Sequence, residues 1–245
     1  SMRAYFERRY CPANMVLAAA GKIDFARLVD DAAAACGHWQ AFEAGRLTPR
    51  AEGHGDFQLI TKESATQEYV LQIANGPAAT DSDRFPAKVL GAILGDDSGS
   101  RLYWELVDNG RAEQCSLGHY DYQGTGLFMT YMSCEPAAAK ANLATILEVY
   151  RRAERDGIRA EELALAKNKI DARIVLASER PRRRLFSVGG NWLMRHEYRP
   201  VSQDIASIDA VTLDEIAAVL RRYPLSECTT VAIGPLARGT RFRAT

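Results

Sequence analysis

Histidine is scarce and badly spaced for metal chemistry. The four histidines, His38, His54, His119 and His196, never stand three or four residues apart, so no helical turn carries two of them. Two ligands on one turn are what makes H-E-x-x-H a zinc motif. "HEYRP" at 196–200 starts that way but ends in Pro200. Cysteine is equally unhelpful: Cys11, Cys36, Cys115, Cys134 and Cys228 are odd in number, scattered and without a C-x-x-C pair. That excludes a disulfide framework and points to buried or idle thiols. Charge of one sign is lacking too. Lys+Arg and Asp+Glu both number 31, so the broad positive field of a nucleic-acid binder is missing. No apolar run reaches the roughly 20 residues that span a bilayer. No signal peptide is expected at the start, and a cytoplasmic location, with no membrane partner, is the expectation.

Phosphate and acyl-transfer signatures are absent as well. Gly95 and Gly99 in "GDDSGSRLYWELVDNG" (95–110) are one residue too close for G-x-x-x-x-G-K-[ST], and no lysine follows them. Neither G-x-G-x-x-G nor G-x-S-x-G occurs. The simple reading of this stretch is that Ser98 or Ser100 caps a helix beginning near Arg101, with the glycines permitting the turn.

Among what is present, hydrophobic residues make up 47% and charged residues 25%, the balance of a soluble globular chain long enough for a substantial core. A short buried strand is expected over 14–21. A helix follows, with Asp24 as N-cap and Phe25, Leu28, Val29 and Ala32 on one face. Residues 41–55, with three glycines and a proline, read as a linker. "DFQLITKES" and "QEYVLQIAN" read as strands, 81–94 as an amphipathic helix and 100–107 as a second one. "EQCSLGHYDY" and "GLFMTYMSCE" around Gln123-Gly124-Thr125 form a hairpin. Helices are expected from Glu135 to Gly157, then over "RAEELALAKNKIDARIVLAS", "RLFSVGGNWLMR" and "TLDEIAAVLRRY". The last opens with a Thr212–Glu215 capping box, and "CTTVAIGP" closes the chain's secondary structure as a strand. This order is not the alternation of a parallel α/β fold. It predicts an α+β fold, a mixed and mostly antiparallel sheet with helices packed on one face.

Three local pairings carry possible chemistry beside plainer readings. His119 and Asp121 share a strand face, which suits a packing or surface pair better than a two-ligand metal site. Cys115 and His119 lie on the same face, a weak basis for a nucleophile and its base. Arg180, Arg182, Arg183 and Arg184 fit a carboxylate or phosphate grip, and fit better a solvated helix start beside Glu179.

Four segments in order resemble one family, the insulinase/pitrilysin-type zinc metallopeptidases that include the mitochondrial processing peptidases. "YFERRYCPANMVLAAAGKIDFARLVDDA" resembles their F-Y-x-x-x-Y-x-P-x-N-M-V-L-x-x-x-G-x-[IV]-D segment. "ILGDDSGSRLYWELVDNG" resembles [IL]-L-G-x-x-x-x-S-R-L-[FY]-x-x-L-R-x-x-x-G. "GIRAEELALAKNKI" resembles G-[IV]-[ST]-x-E-E-L-x-x-A-K-x-x-[IL], and "SIDAVTLDEIAAVLRRYP" resembles the closing I-x-x-V-T-x-x-D-[IV] helix. The resemblance runs from about Tyr5 to Pro235.

The resemblance implies repeated α+β units, two to a half, with two halves enclosing a substrate chamber. In the catalytic unit, H-x-x-E-H and a downstream Glu bind zinc and activate its water for hydrolysis of a peptide. This chain has no H-x-x-E-H. The implied reading is therefore a non-catalytic C-terminal domain: no catalytic and no metal residues here, zinc expected in an upstream unit, and no hydrolase activity from these residues alone. The implied layout is 1–40 as the end of the upstream catalytic-type unit (strand plus helix), 41–55 as linker, 56–235 as the non-catalytic domain and 236–245 as tail. The implied partners are a second peptidase half, in the same or a separate chain, and a peptide substrate. The apolar edge of the 14–21 strand is expected either to join copies of the truncated chain as a homo-oligomer or to dock within the chain itself.

Six residues are the resulting chamber candidates: Ser98, Gly99, Ser100, Arg101, Glu113 and His119. Many non-catalytic halves of the family carry an Arg–Tyr pair that holds the substrate carbonyl. Here Val107 stands at the arginine position and Glu113 or Gln114 at the tyrosine position, so that role does not carry over. The missing pair fits the second unit of a zinc-bearing half; it also fits a catalytically dead subunit serving assembly or peptide binding.

Overall fold

The computed structural model describes residues 1–45, 53, 55–237 and 240. Ser1 caps α1 (Met2–Arg9), a helix not anticipated from the sequence, through a hydrogen bond from Ala4 N to its hydroxyl. Asp24 caps α2 (Phe25–Cys36) as expected, accepting from Arg27 N at 3.1 Å. The strand expected over 14–21 is not formed. Pro12–Asn14 is a single 3₁₀ turn, and residues 15–20 have no regular structure. The described residues that cluster with it contribute no strand, so its backbone groups have no ladder to join. Of the linker, 41–45 lack regular structure; residues 46–52 and His54 lie outside the described residues.

The chain continues through β1 (Phe57–Thr61), β2 (Glu68–Gly76), α3 (Arg84–Gly95), a π-turn at Tyr103–Val107, β3 (Gln114–Tyr122) and β4 (Thr125–Cys134). A 3₁₀ turn at Pro136–Ala138 leads into α4 (Ala139–Asp156), which Gly157 ends at φ 76°. Then come α5 (Ala160–Ser178), α6 (Pro181–Arg195), α7 (Val201–Asp209), α8 (Leu213–Arg222) and β5 (Thr229–Gly234). The Thr212–Glu215 capping box forms in both directions.

Two compact units result. One comprises Ser1–Pro49 and Arg173–Asp204, the other Arg50–Ala172 and Ile205–Thr245. The first is helical among its described residues. In it Pro181 sits at the start of α6, and Arg184, one of the clustered arginines, donates to Arg199 O at 2.9 Å. His196 takes the left-handed conformation that ends α6. "HEYRP" is therefore a helix stop and not a helical ligand pair.

The second unit carries the sheet, ordered β1-β5-β2-β4-β3. Only β1–β5 is parallel; the other three pairings are antiparallel, as the mixed, mostly antiparallel expectation required. Period-two alternation decides the faces. Along β2, Glu68, Val70, Gln72, Ala74 and Gly76 are buried, while Tyr69 and Ile73 are exposed. Helix α3 lies against β3, and α8 packs on both α3 and α4. Val70, Phe128, Met132, Leu90, Leu94, Ile146 and Ile216 meet in the core between them. Each such side chain contributes about 1.5–3 kcal/mol on burial.

Polar groups within this core are mostly matched. Thr130 Oγ1 and Tyr150 Oη lie 2.5 Å apart, and burial holds the Tyr150 phenol well above its usual range. Glu68 is one of the exceptions, as are the Gln72 amide oxygen and the Tyr223 hydroxyl. Glu68 is fully buried, with no hydrogen-bond partner for either carboxyl oxygen; burial raises its pKa, and the nearby Leu236 backbone N–H only partly offsets that. All five cysteines are free. Cys115 is buried and its thiol is pushed up to about 12, chiefly by desolvation. It stays a protonated core side chain, not a nucleophile for His119.

Candidate functional site

The turn after α3 is held by side chains from far along the chain. Asp96, buried at the helix end, accepts from Ser98 N at 3.3 Å. Gly99 takes φ 70°, a left-handed conformation that glycine adopts without a Cβ penalty. Ser100 is buried; its hydroxyl donates to Asp96 O at 2.7 Å and accepts from Tyr103 N at 3.2 Å. The expected serine cap is therefore Ser100, at the head of the helical turn that begins at Arg101 and runs on into the π-turn. From α5, Lys169 pairs with Asp96 and donates to Ser98 O at 2.6 Å and Ser98 Oγ at 3.0 Å.

Arg101 completes the clasp. Its Nε and one terminal nitrogen each donate to Glu162 at 2.8 Å, and that nitrogen also reaches Gly157 O at 3.0 Å. Glu162 further accepts from Arg159 N at 2.9 Å, in the turn that starts α5. Burial alone would raise the Glu162 pKa. The Arg101 and Arg159 hydrogen bonds and the Arg101 charge outweigh it and bring the carboxyl down to about 2. One guanidinium thus ties the turn, the end of α4 and the start of α5 together.

These elements border a groove of about 960 Å³. Ser98, Gly99 and Arg101 line one side, Glu105 and Arg152 pair at 2.7 Å on another, and Trp104 and Leu165 stand exposed at its mouth. Of the six sequence candidates, Ser98, Gly99 and Arg101 come together here. Ser100 lies beneath as the cap. Glu113 lines a separate hollow, where it accepts from the Gln67 amide. His119 is a packing residue: its ring lies 5.2 Å from Phe128, and Nε2 is 2.9 Å from Pro77 O. Burial lowers its pKa despite that contact and the nearby Asp121, so it is a neutral imidazole at pH 7.

Glu162 and Lys169 escaped the sequence reading, and Gly157 entered it only as the end of a helix. Arg101 and Glu162 are 61 residues apart, and no periodicity links positions so distant. The only local trace was Glu162 itself, in the acidic first turn of a helix.

Among the described residues no group of three His, Cys, Asp or Glu side chains is placed to hold a metal ion. Zinc does not fit this side-chain set, and no hydrolytic step can be derived from it. Nor is any helix among the described residues long and apolar enough to cross a membrane.

Residues 1–170 match the family described as peptidase M16 inactive domain. The chain belongs to that family. Over 96% of its length it is 28% identical to an uncharacterized zinc protease of Streptomyces coelicolor, covering 53% of that protein. It is 26% identical, again over 96%, to an uncharacterized zinc protease of Mycobacterium tuberculosis, covering 55%. The chain thus spans about half the length of the curated relatives it matches. A peptidase M16 inactive domain from Pseudomonas fluorescens superposes with a TM-score of 0.75 at 18% identity, over 89% of this chain and 52% of that one. A Helicobacter pylori protease gives 0.75 at 17% identity, over 87% and 54%. These two likenesses are to the fold. The M16 inactive domain is thus an α+β unit whose helices cover one face of a mixed sheet, as its sequence pattern required.

Proposed function

We propose that these residues form the non-catalytic C-terminal domain of a zinc metalloendopeptidase and complete both its substrate chamber and the contact between its halves. The carrying observation is that residues 1–170 match the inactive-domain family while the chain aligns with just over half the length of each zinc-protease relative. In this reading zinc and the general base belong to an upstream unit. Residues 1–40 end that unit, 41–55 link, 56–235 are the domain proper and 236–245 are its tail. Leu17, Phe25 and Val29 are 68%, 75% and 48% exposed, which supports a missing apolar neighbour for 14–36 or, without one, self-association of the chain. The groove at Ser98, Gly99 and Arg101 is the proposed chamber-facing surface, with a peptide as the substrate.

Reconstitution tests this. Mixed with a separately produced zinc-bearing upstream half, the 245-residue chain should restore cleavage of an unfolded protein substrate, while neither part cleaves alone. Cleavage by the zinc-bearing half that is unchanged by adding this chain would contradict a chamber-completing role.

Val107 and Glu113, standing where the carbonyl-holding pair would be, favour one second reading: a domain of a catalytically dead subunit that assembles with a separate zinc-bearing chain.

A further inference from the structure

The clustered arginines at the start of α6 take no part in the groove. Residues 173–204 hold seven arginines, no lysine and three carboxylates. Arg199 takes two of those carboxylates, Glu197 at 2.9 Å and Asp204 at 2.7 Å. Arg184 is engaged as well, donating to Arg199 O and, at 3.3 Å, to Tyr198 Oη. Glu179 is the carboxylate left over, and it does not neutralise its neighbours. Among the described residues, the side chains of Glu179, Arg180, Arg182 and Arg183 have no hydrogen-bond or ion-pair partner.

These charges do not serve the helix. A helix N-terminus is the positive end of the dipole and favours carboxylates. Four arginines over 180–184 repel it and one another. Arginine without lysine, beside an exposed aromatic ring, is the composition of a protein interface. A net charge of zero gives no broad field for nucleic acid, so the fitting partner is a local acidic stretch of protein. Arg182 and Arg183 stand four and three residues before Phe186, which places all three on one face of α6. Both arginines are exposed, and Phe186 is 67% exposed. Two turns beyond Arg182 the same face meets the N-terminal segment: a Cβ on Gly189 would stand 3.1 Å from the Ala18 Cβ. The face is thus covered at Gly189 and bare at Phe186 and Arg182.

We propose that Arg180, Arg182, Arg183 and Phe186 dock an acidic segment of the upstream unit, with its carboxylates on the arginines and an apolar side chain on Phe186. The assignment rests on the reading that residues 1–40 end that upstream unit. Those residues and α6 belong to one compact unit of this chain, so further residues of the upstream unit join beside α6. Guanidinium forks hold carboxylates in two parallel hydrogen bonds, which gives the contact register as well as attraction.

The test is photo-crosslinking in the native polypeptide that carries these residues, with Phe186→p-benzoylphenylalanine. Light should join position 186 to a segment of the same polypeptide outside residues 1–245, with Asp or Glu beside the joined residue. Arg182→Glu together with Arg183→Glu should lower the yield at least about fivefold, since like charges then face each other. High salt should lower it too. Arg182→Lys together with Arg183→Lys keeps the charge and should hold more of the yield. Far-ultraviolet circular dichroism checks that both double variants stay folded. Joining to residues within 1–245, to a segment without carboxylates, to a second copy, to lipid or to nucleic acid overturns the proposal. So do a yield unchanged by the glutamates and equal losses in the two double variants. The intact mass of the native polypeptide tests the underlying reading by itself. A polypeptide no longer than these residues removes the upstream unit and the proposal together, whereas a longer one that is not joined at 186 removes the proposal alone.

Discussion

Arg101→Met is expected to lower the unfolding free energy by about 2–3 kcal/mol at pH 7. Removing one partner of a buried ion pair costs about 3–5 kcal/mol. Here the Arg101 and Glu162 side chains are 21% and 14% exposed, so the pair is only partly buried and the loss falls just below that range. The variant keeps the stem that packs in the groove wall and strips out three hydrogen bonds, leaving Glu162 and Gly157 O without the guanidinium. Acid should erase much of the difference. Glu162 has a folded pKa of about 2, below its ordinary 4.5. A depressed folded pKa adds stability that is present above the unfolded value and lost as pH falls through the folded one. The gap between parent and variant should therefore narrow from about pH 4.5 down to about pH 2. Urea unfolding across that range reads it directly. A variant within about 0.5 kcal/mol of the parent at pH 7, the scale of a neutral surface change, would show that the clasp holds nothing.

Gly95→Ala should cost more than Gly99→Ala, although both lie in one short turn. A Cβ on Gly95 would stand 2.2 Å from both the backbone N and the Cβ of Leu117. Neither atom is the end of a flexible side chain, so α3 must lift from β3. Overpacking of this kind costs about 3 kcal/mol or more when backbone has to move. A Cβ on Gly99 meets open space, and only its positive φ is penalised, by about 1–2 kcal/mol. For a chain of this size 1 kcal/mol lowers Tm by about 2–4 °C. Thermal denaturation should then show a drop of at least about 6 °C for Gly95→Ala and a smaller one for Gly99→Ala. The reverse order would mean that the helix end does not press on the sheet as described.

These two glycines also mark what could be read from sequence. The turn and its serine cap were legible because cap preference and glycine's conformational freedom are local properties. The alternation in β2 and the hairpin at Gly124 were legible for the same reason, as was the Thr212–Glu215 box. Gly95's close approach to Leu117 is a tertiary contact with no local signal. Residues 14–21 looked like a strand because their apolar run suits one; among the described residues of their unit they have no strand to pair with, and pairing is what makes a strand. Helix α1 carries charged and aromatic residues without a clean apolar stripe, so periodicity did not reveal it. In the groove, Ser98, Gly99 and Arg101 were found through the resemblance. Glu162 and Lys169 were not, since a salt bridge between distant segments leaves no spacing to recognise. His119, also named through the resemblance, is half-buried beside Phe128 and is not part of the groove lining.

The most direct measurement is the zinc content, per polypeptide, of the native protein that carries these residues, by elemental analysis after dialysis with the intact mass read in parallel. A chamber-completing domain predicts a polypeptide of roughly twice the 27.1 kDa of these residues with about one zinc bound, as a three-ligand catalytic site holds. A native polypeptide of that length without zinc would contradict the account and point instead to a catalytically dead subunit.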